Sequence, residues 1–216
     1  MELEAEILER INRGILLRTG AYLTDDHFVL SSHRHASEYV EKALVTTEPA
    51  FTEGLGEIIA KHFAKSQVDV VLTTGYGASI LGHCVARAHP SRPRFIYATK
   101  RKRKEGGSEV TLRREFHRLF VQGAKVLLVE DILTTGETVK ALIKLVESLG
   151  GQVVGIGTVW RRSHKIKFKY PLFTLVDREF PTYSPKECPM CQKGIPINKE
   201  YGTGDEERSQ GTSLRE

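Results

Sequence analysis

Apolar positions along this chain follow two rhythms. Over residues 2–19, Leu3, Ile7, Ile11 and Ile15 recur near one helical turn and Gly20 follows, which predicts a helix with a natural stop. EGLGEIIAKHFAK (53–65) and SILGHCVARA (79–88) repeat that rhythm. Between them lie VDVVLTT (68–74), RFIYAT (94–99), KVLLVED (125–131) and QVVGIGTVW (152–160). These runs are short, apolar and rich in β-branched residues, as buried strands are. GETVKALIKLVESLGG (136–151) reads as a helix closed by glycines. Near the amino terminus, HFVLSS and SEYVEKAL read as two short strands joined by a polar turn around His33 to His35. Strands alternating with helices predict an α/β fold, a central parallel sheet flanked by helices on both faces.

Composition narrows this picture. With 216 residues, 40% of them hydrophobic, the chain can bury one substantial core. No apolar run is long enough to span a bilayer, and MELEAEILER is acidic, unlike a signal peptide. A cytoplasmic protein with no membrane partner is expected. Its three cysteines make no disulfide framework, in keeping with a reducing compartment. The net charge of +5 suits phosphate-rich ligands, nucleic acid included. KRKRKEGGSE (100–109) carries no apolar residue and reads as a mobile loop. It lacks interleaved aromatics, so nucleic acid is not the expected partner. From Lys199 onward the chain is polar and Gly-rich, a tail expected to be disordered.

The chemistry concentrates in VLLVEDILTTGETV (126–139). Glu130 and Asp131 end a buried strand, where two adjacent carboxylates repel unless a cation or hydroxyl donors compensate. The loop Ile132 to Thr138 follows, with a helix starting near Gly136 or Glu137. Amides at a helix start bind phosphate, Gly136 permits close backbone approach, and Thr134, Thr135 and Thr138 add hydroxyls. Two acids beside a phosphate cradle suit a ribose 5-phosphate.

A hydrophobic strand, two acids and then x-x-T-T-G-x-T resembles the phosphoribosyl pyrophosphate signature of type I phosphoribosyltransferases. HFVLSSHRHASEYVEKALV, TLRREF and PTYSPKECPMCQKGIPI resemble, in register over residues 10–198, segments of a bacterial branch of orotate phosphoribosyltransferases with a C-terminal Cys-Pro-x-Cys tail. The resemblance implies the type I phosphoribosyltransferase fold with a small N-terminal hood and a mobile catalytic loop. It implies a domain over 1–198: helix and hood strands in 1–50, core in 51–180, a Cys-containing segment in 181–198, then the tail 199–216. The activity implied is transfer of ribose 5-phosphate from phosphoribosyl pyrophosphate to orotate in pyrimidine synthesis, with Mg2+ as cofactor and a homodimer as the working form. The alternatives are another base as acceptor, a purine for instance, or a non-catalytic regulator that senses a nucleotide and binds RNA.

The family's residues carry over one by one. Glu130, Asp131, Ile132, Leu133, Thr134, Thr135, Gly136, Glu137 and Thr138 would bind the donor, with Asp131, Glu130 and Lys100 catalytic. Thr73, Thr74, Gly75, Tyr76 and Gly77 would form the pyrophosphate loop. Lys100, Arg101, Lys102, Arg103 and Lys104 would form the hood loop, which in the family closes over the neighbouring subunit's site. Ser32, Thr134 and Arg162 would meet orotate. The chain departs from the family at His33, where Gly is usual, at Thr73-Thr74-Gly75 in place of Gly-Pro-Ala, and at Glu115, Glu137 and Arg161. Cys188-Pro-Met-Cys191 has half the spacing of a zinc site. Only Cys84 remains, inside a predicted helix, so reduced thiols in a docked tail are expected, a zinc shared by two subunits being the alternative. No protein metal ligands are assigned. His33 and His35 are candidates for the substrate edge, while His62, His83 and His117 read as structural or surface residues.

Overall fold

Buried β-branched runs need partners on both edges, and the computed structural model supplies them. It describes residues 14, 16–30, 32–102 and 108–202. The elements in chain order are β1 (Tyr22–Leu23), β2 (Phe28–Val29), β3 (His35–Ala36), β4 (Tyr39–Val40), α1 (Lys42–Thr47), α2 (Pro49–His62), β5 (Val70–Thr74) and α3 (Tyr76–Ala88). They continue with β6 (Arg94–Lys102), β7 (Ser108–Thr111), α4 (Glu115–Val121), β8 (Lys125–Leu133), α5 (Glu137–Ser148), β9 (Gln152–Arg161), β10 (Leu172–Asp177) and α6 (Pro189–Gln192). The chain divides into two compact units, Thr46–Glu179 and the described parts of Arg13–Val45 with Phe180–Glu216.

The larger unit is built on a six-stranded sheet in the order β10-β9-β8-β5-β6-β7. All pairs are parallel except β6–β7, an antiparallel edge pair. Asp69 sets the register at the sheet's start: its carboxylate accepts from Lys125 N at 2.8 Å and its N–H donates to Lys125 O at 2.8 Å. On one face, α5 buries Val139, Leu142, Ile143 and Val146 against Val70, Leu72, Ile96, Val126 and Leu128. Each such side chain contributes about 1.5–3 kcal/mol when fully buried, which seats the helix and therefore its N-terminus. On the other face, α3 approaches through Gly82, where a Cβ would stand 2.3 Å from Thr73 Cγ2. There Ile59 of α2 and Phe63 just after it lie on Gly157 and Gly155. Trp160, wholly buried on β9, lies opposite Ile132 of β8 and donates its indole N–H to Arg178 O at 2.8 Å.

The smaller unit has two antiparallel pairs, β1–β4 and β2–β3, each of two-residue strands. Phe28, Leu30, Ala36, Val40, Phe180 and Met190 are buried in it.

Several boundaries differ from the sequence reading. The expected helix over 2–19 lies outside the described residues except for its closing turn, where 16–18 are helical. His35 belongs to β3, not to the turn, and SEYVEKAL is strand only at Tyr39–Val40 before it enters α1. The helix expected over 53–65 begins at Pro49, which as a first-turn residue gives up no hydrogen bond. The basic segment 100–109 is not simply loop. Lys100, Arg101 and Lys102 continue β6 and pair with Val110, Glu109 and Ser108 of β7. The hairpin partner, not apolar burial, holds that arm extended. Arg103 and Lys104 fall outside the described residues. Among the described residues, no helix is long and apolar enough to cross a membrane.

Candidate active site

The C-terminal edge of the parallel strands is where helix N-termini and strand ends meet, and such edges bind ligands. Glu130 and Asp131 stand there, each 8% exposed. They do not end the strand: β8 runs on to Leu133 because Ile132 and Leu133 still pair with Trp160 and Arg161 of β9. The loop expected over Ile132 to Thr138 therefore contracts to Thr134, Thr135 and Gly136, and Glu137 and Thr138 form the first turn of α5. Both carboxylates are steadied by adjoining amides. Asp131 N donates to Glu130 Oε1 at 3.3 Å, and Ile132 N donates to Asp131 Oδ1 at 2.7 Å. Thr158, on the neighbouring strand and fully buried, donates to Asp131 O at 3.1 Å.

Gly136 turns the chain from strand to helix with φ +75, a left-handed conformation. A Cβ there would also lie 2.8 Å from Ile166 Cγ2. Thr134 and Thr135 are exposed, and Thr135 Oγ1 accepts from Glu137 N at 3.4 Å. The first amides of α5 have no intrahelical acceptors and carry the positive end of its dipole. Lys100 reaches this turn, its ammonium donating to Thr138 Oγ1 at 2.8 Å.

The pyrophosphate-loop residues divide similarly. Thr73 and Thr74 close β5, Gly75 (φ +87) makes the turn, and Tyr76 and Gly77 open α3. The threonine hydroxyls face inward: Thr73 Oγ1 lies 3.1 Å from Ser79 Oγ, and Thr74 donates to Ala98 O at 2.8 Å. With the hydroxyls so engaged, the opening amides of α3 are the turn's donors without intrahelical acceptors. A cleft of about 810 Å³ adjoins the turn, lined by Thr74, Gly75, Tyr76, Ile80, Tyr97 and Lys100 among others. The two acids do not line that cleft.

Arg162, half-buried, follows β9 and donates its N–H to Leu133 O at 2.9 Å, which keeps its backbone beside the acid motif. Arg161 has a different occupation. Its guanidinium pairs with Asp177 through both Nε, at 2.7 Å, and Nη2, and this carboxylate holds the arginine's pKa above its ordinary value. Ser32 is exposed in the turn between β2 and β3 of the smaller unit.

That smaller unit holds what the sequence reading missed. Spacing leaves Cys188 and Cys191 without partners, yet the fold brings His27 and His35 to them, the four donor atoms lying within 4.8 Å of one another. His35 is therefore buried beside thiols rather than at a substrate edge, and burial together with His27 lowers its pKa. His33, by contrast, is exposed. Two histidines eight positions apart carry no recognisable ligand spacing; only the β2–β3 pairing aligns them.

Comparison with known proteins agrees with this geometry. The phosphoribosyl transferase domain is matched over residues 44–183. The chain is 39% identical to an orotate phosphoribosyltransferase of Caldicellulosiruptor bescii over 82% of its own length and 89% of that protein. It is 38% identical to the Thermotoga maritima orotate phosphoribosyltransferase, over 89% and 98% respectively. Among solved structures, the orotate phosphoribosyltransferase of Aeropyrum pernix superposes with a TM-score of 0.58 at 20% identity, covering 76% of this chain and 91% of that one. A phosphoribosyl transferase domain matched over residues 44–183 and 38–39% identity over most of both chains assign the protein to the type I phosphoribosyltransferases, among the orotate phosphoribosyltransferases.

Proposed function

We propose that this enzyme joins orotate to the ribose of phosphoribosyl pyrophosphate at the C-terminal edge of the sheet. The bond from the anomeric carbon to pyrophosphate breaks, and a bond from that carbon to N1 of orotate forms. The products are orotidine 5'-monophosphate and pyrophosphate. The observation that carries this reading is the nearly buried acid pair delivered by β8 directly ahead of the Gly136 turn and the amides of α5.

Each part then has a role. The amides of α5, with Thr134, Thr135 and Thr138, hold the 5-phosphate. Glu130 and Asp131 accept from the ribose hydroxyls and offset positive charge developing at the anomeric carbon. The opening amides of α3 face the departing pyrophosphate, and Lys100 with the rest of the basic arm adds cationic charge there. Thr134 and Arg162 orient orotate. Carboxylate oxygens are hard donors, so Glu130 and Asp131 fit magnesium, held directly or through its waters. Glu130 and Asp131 would hold the ion there, and its charge would offset that of the phosphates.

The exposed apolar residues Tyr76, Ile80, Tyr97, Phe116, Leu119 and Phe120 support a homodimer. Soluble monomers rarely leave that many large side chains in water, and they cluster: Phe116 and Phe120 pack at 6.0 Å, with Tyr97 and Phe116 both against His117. The deciding experiment offers orotate, uracil, adenine and hypoxanthine in turn, with the common donor and magnesium. Consumption of orotate alone is expected. Turnover only with a purine would overturn the acceptor, and tight RNA binding without turnover would overturn catalysis.

A further inference from the structure

The turn Cys188 to Ile195 is built to hold two sulfurs on one side. Gln192 N donates to Cys188 O at 3.1 Å, Gly194 N to Cys191 O at 3.0 Å, and Ile195 N to Met190 O at 2.9 Å. Gly194 takes the left-handed φ of +66 that lets the chain double back. Ile195 O then accepts from His27 Nδ1 at 2.7 Å. That bond places a proton on Nδ1 and turns Nε2 toward His35 Nδ1, 2.7 Å away, and toward the sulfurs. Cys188 Sγ and Cys191 Sγ each lie 3.6 Å from His27 Nε2, and Cys191 Sγ lies 3.3 Å from His35 Nδ1. His35 is held by its own strand and by a reciprocal pair of backbone bonds with Tyr183, at 2.9 and 2.8 Å.

The three sulfur–nitrogen separations approach those of a metal's coordination shell, within a cluster whose donor atoms all lie within 4.8 Å of one another. Zinc bonds of about 2.0–2.1 Å to nitrogen and about 2.3 Å to sulfur imply tetrahedral edges of roughly 3.3–3.8 Å. The sulfur–nitrogen distances match them. The two imidazole nitrogens, 2.7 Å apart, need to part by about half an ångström to admit the ion. Two thiols and two imidazoles meet at this spot, with Cys188 and His27 at 0% and 1% exposure and Cys191 at its exposed side.

We propose that His27 Nε2, His35 Nδ1, Cys188 Sγ and Cys191 Sγ bind a single zinc ion within one chain. The donor set is closed at four protein ligands, so the ion is structural, with no position left for substrate. Binding releases one proton from each thiol; both histidines coordinate as neutral rings, His35 carrying its proton on Nε2. Two thiolates offset the ion's charge. The fold gives the ion a purpose. A small unit with two-residue strands gains from a staple, and a metal would supply a cross-link between the β2–β3 hairpin and the carboxy-terminal segment.

The test uses the full chain, expressed with zinc and purified under reducing conditions. Elemental analysis should find zinc equimolar with chain. Cys188→Ser and Cys191→Ser should lose it, and Cys84→Ser should keep it. Should the serine variants fail to fold, the parent chain still decides. Cobalt exchanged for zinc should give the intense visible bands of a tetrahedral site with thiolate-to-metal charge transfer. Thiol titration of the native zinc-loaded chain should leave Cys188 and Cys191 protected until a strong chelator is added. A chain that emerges without metal from dialysis against zinc, weak octahedral cobalt absorption, or a Cys188–Cys191 disulfide would each overturn the site.

Discussion

At the scale of single residues, left-handed backbone conformation bears on two positions, His33 and Gly136. His33 stands where the family has Gly, and its φ of +57 is the left-handed value that Gly would adopt without strain. A side chain there costs about 1–2 kcal/mol, partly offset by the flexibility that Gly brings to the unfolded chain. His33→Gly should therefore raise stability by about 0.5–1 kcal/mol, read as a higher urea midpoint. Gly136→Ala should do the reverse. It meets both a left-handed φ and Ile166 at 2.8 Å, so a loss of about 2 kcal/mol is expected, with donor affinity falling in calorimetry because the α5 amides shift. Asp131→Asn keeps shape and removes charge. Its turnover should drop about a hundredfold, while the thermal midpoint stays within a few degrees of the parent; undiminished turnover would strip Asp131 of its role.

At the scale of elements, strands and helices of the sheet were legible because each has one unambiguous period. β8, the turn and α5 stand out since an apolar run, two acids and a Thr-Thr-Gly turn are all local signals. The edges were harder. β7 is SEVT, with too few apolar residues to mark a strand, and exists because β6 offers it hydrogen bonds. The His–Cys cluster was hidden for a different reason: His27 and Cys188 are 161 positions apart, and no local pattern encodes their meeting. Contacts between elements also set pH dependence. His62, at the end of α2, stacks on Phe173 of β10 with centroids 3.9 Å apart and planes 14° from parallel. Burial lowers its pKa below 6.5, so the unfolded chain takes up this proton first as the solution acidifies. The stabilisation is complete above pH 6.5 and is lost as pH falls from there through the folded pKa. His62→Phe, which keeps the stack, should therefore lose less thermal stability than the parent between neutral pH and about pH 5.

At the scale of the whole molecule, the question is where one site's parts come from. If the basic arm serves the neighbouring subunit, Lys100→Ala and Asp131→Asn damage different halves of one composite site. Mixing the two inactive variants under conditions that exchange subunits should restore about a quarter of parental activity, through hybrids with one intact site. Absence of recovery, with exchange verified by mass, would mean each chain is self-sufficient. That outcome would give the Lys100–Thr138 bond a direct part in holding the 5-phosphate.

The position of Trp160 has a practical corollary. The chain has a single tryptophan, wholly buried and cross-strand from Ile132, one residue beyond the acid pair. If the proposed donor site lies at the acid pair, Trp160 emission should serve as an intrinsic, label-free gauge of occupancy. Titrating ligand into unmodified enzyme and following the quantum yield would follow occupancy without isotopes or coupled reagents.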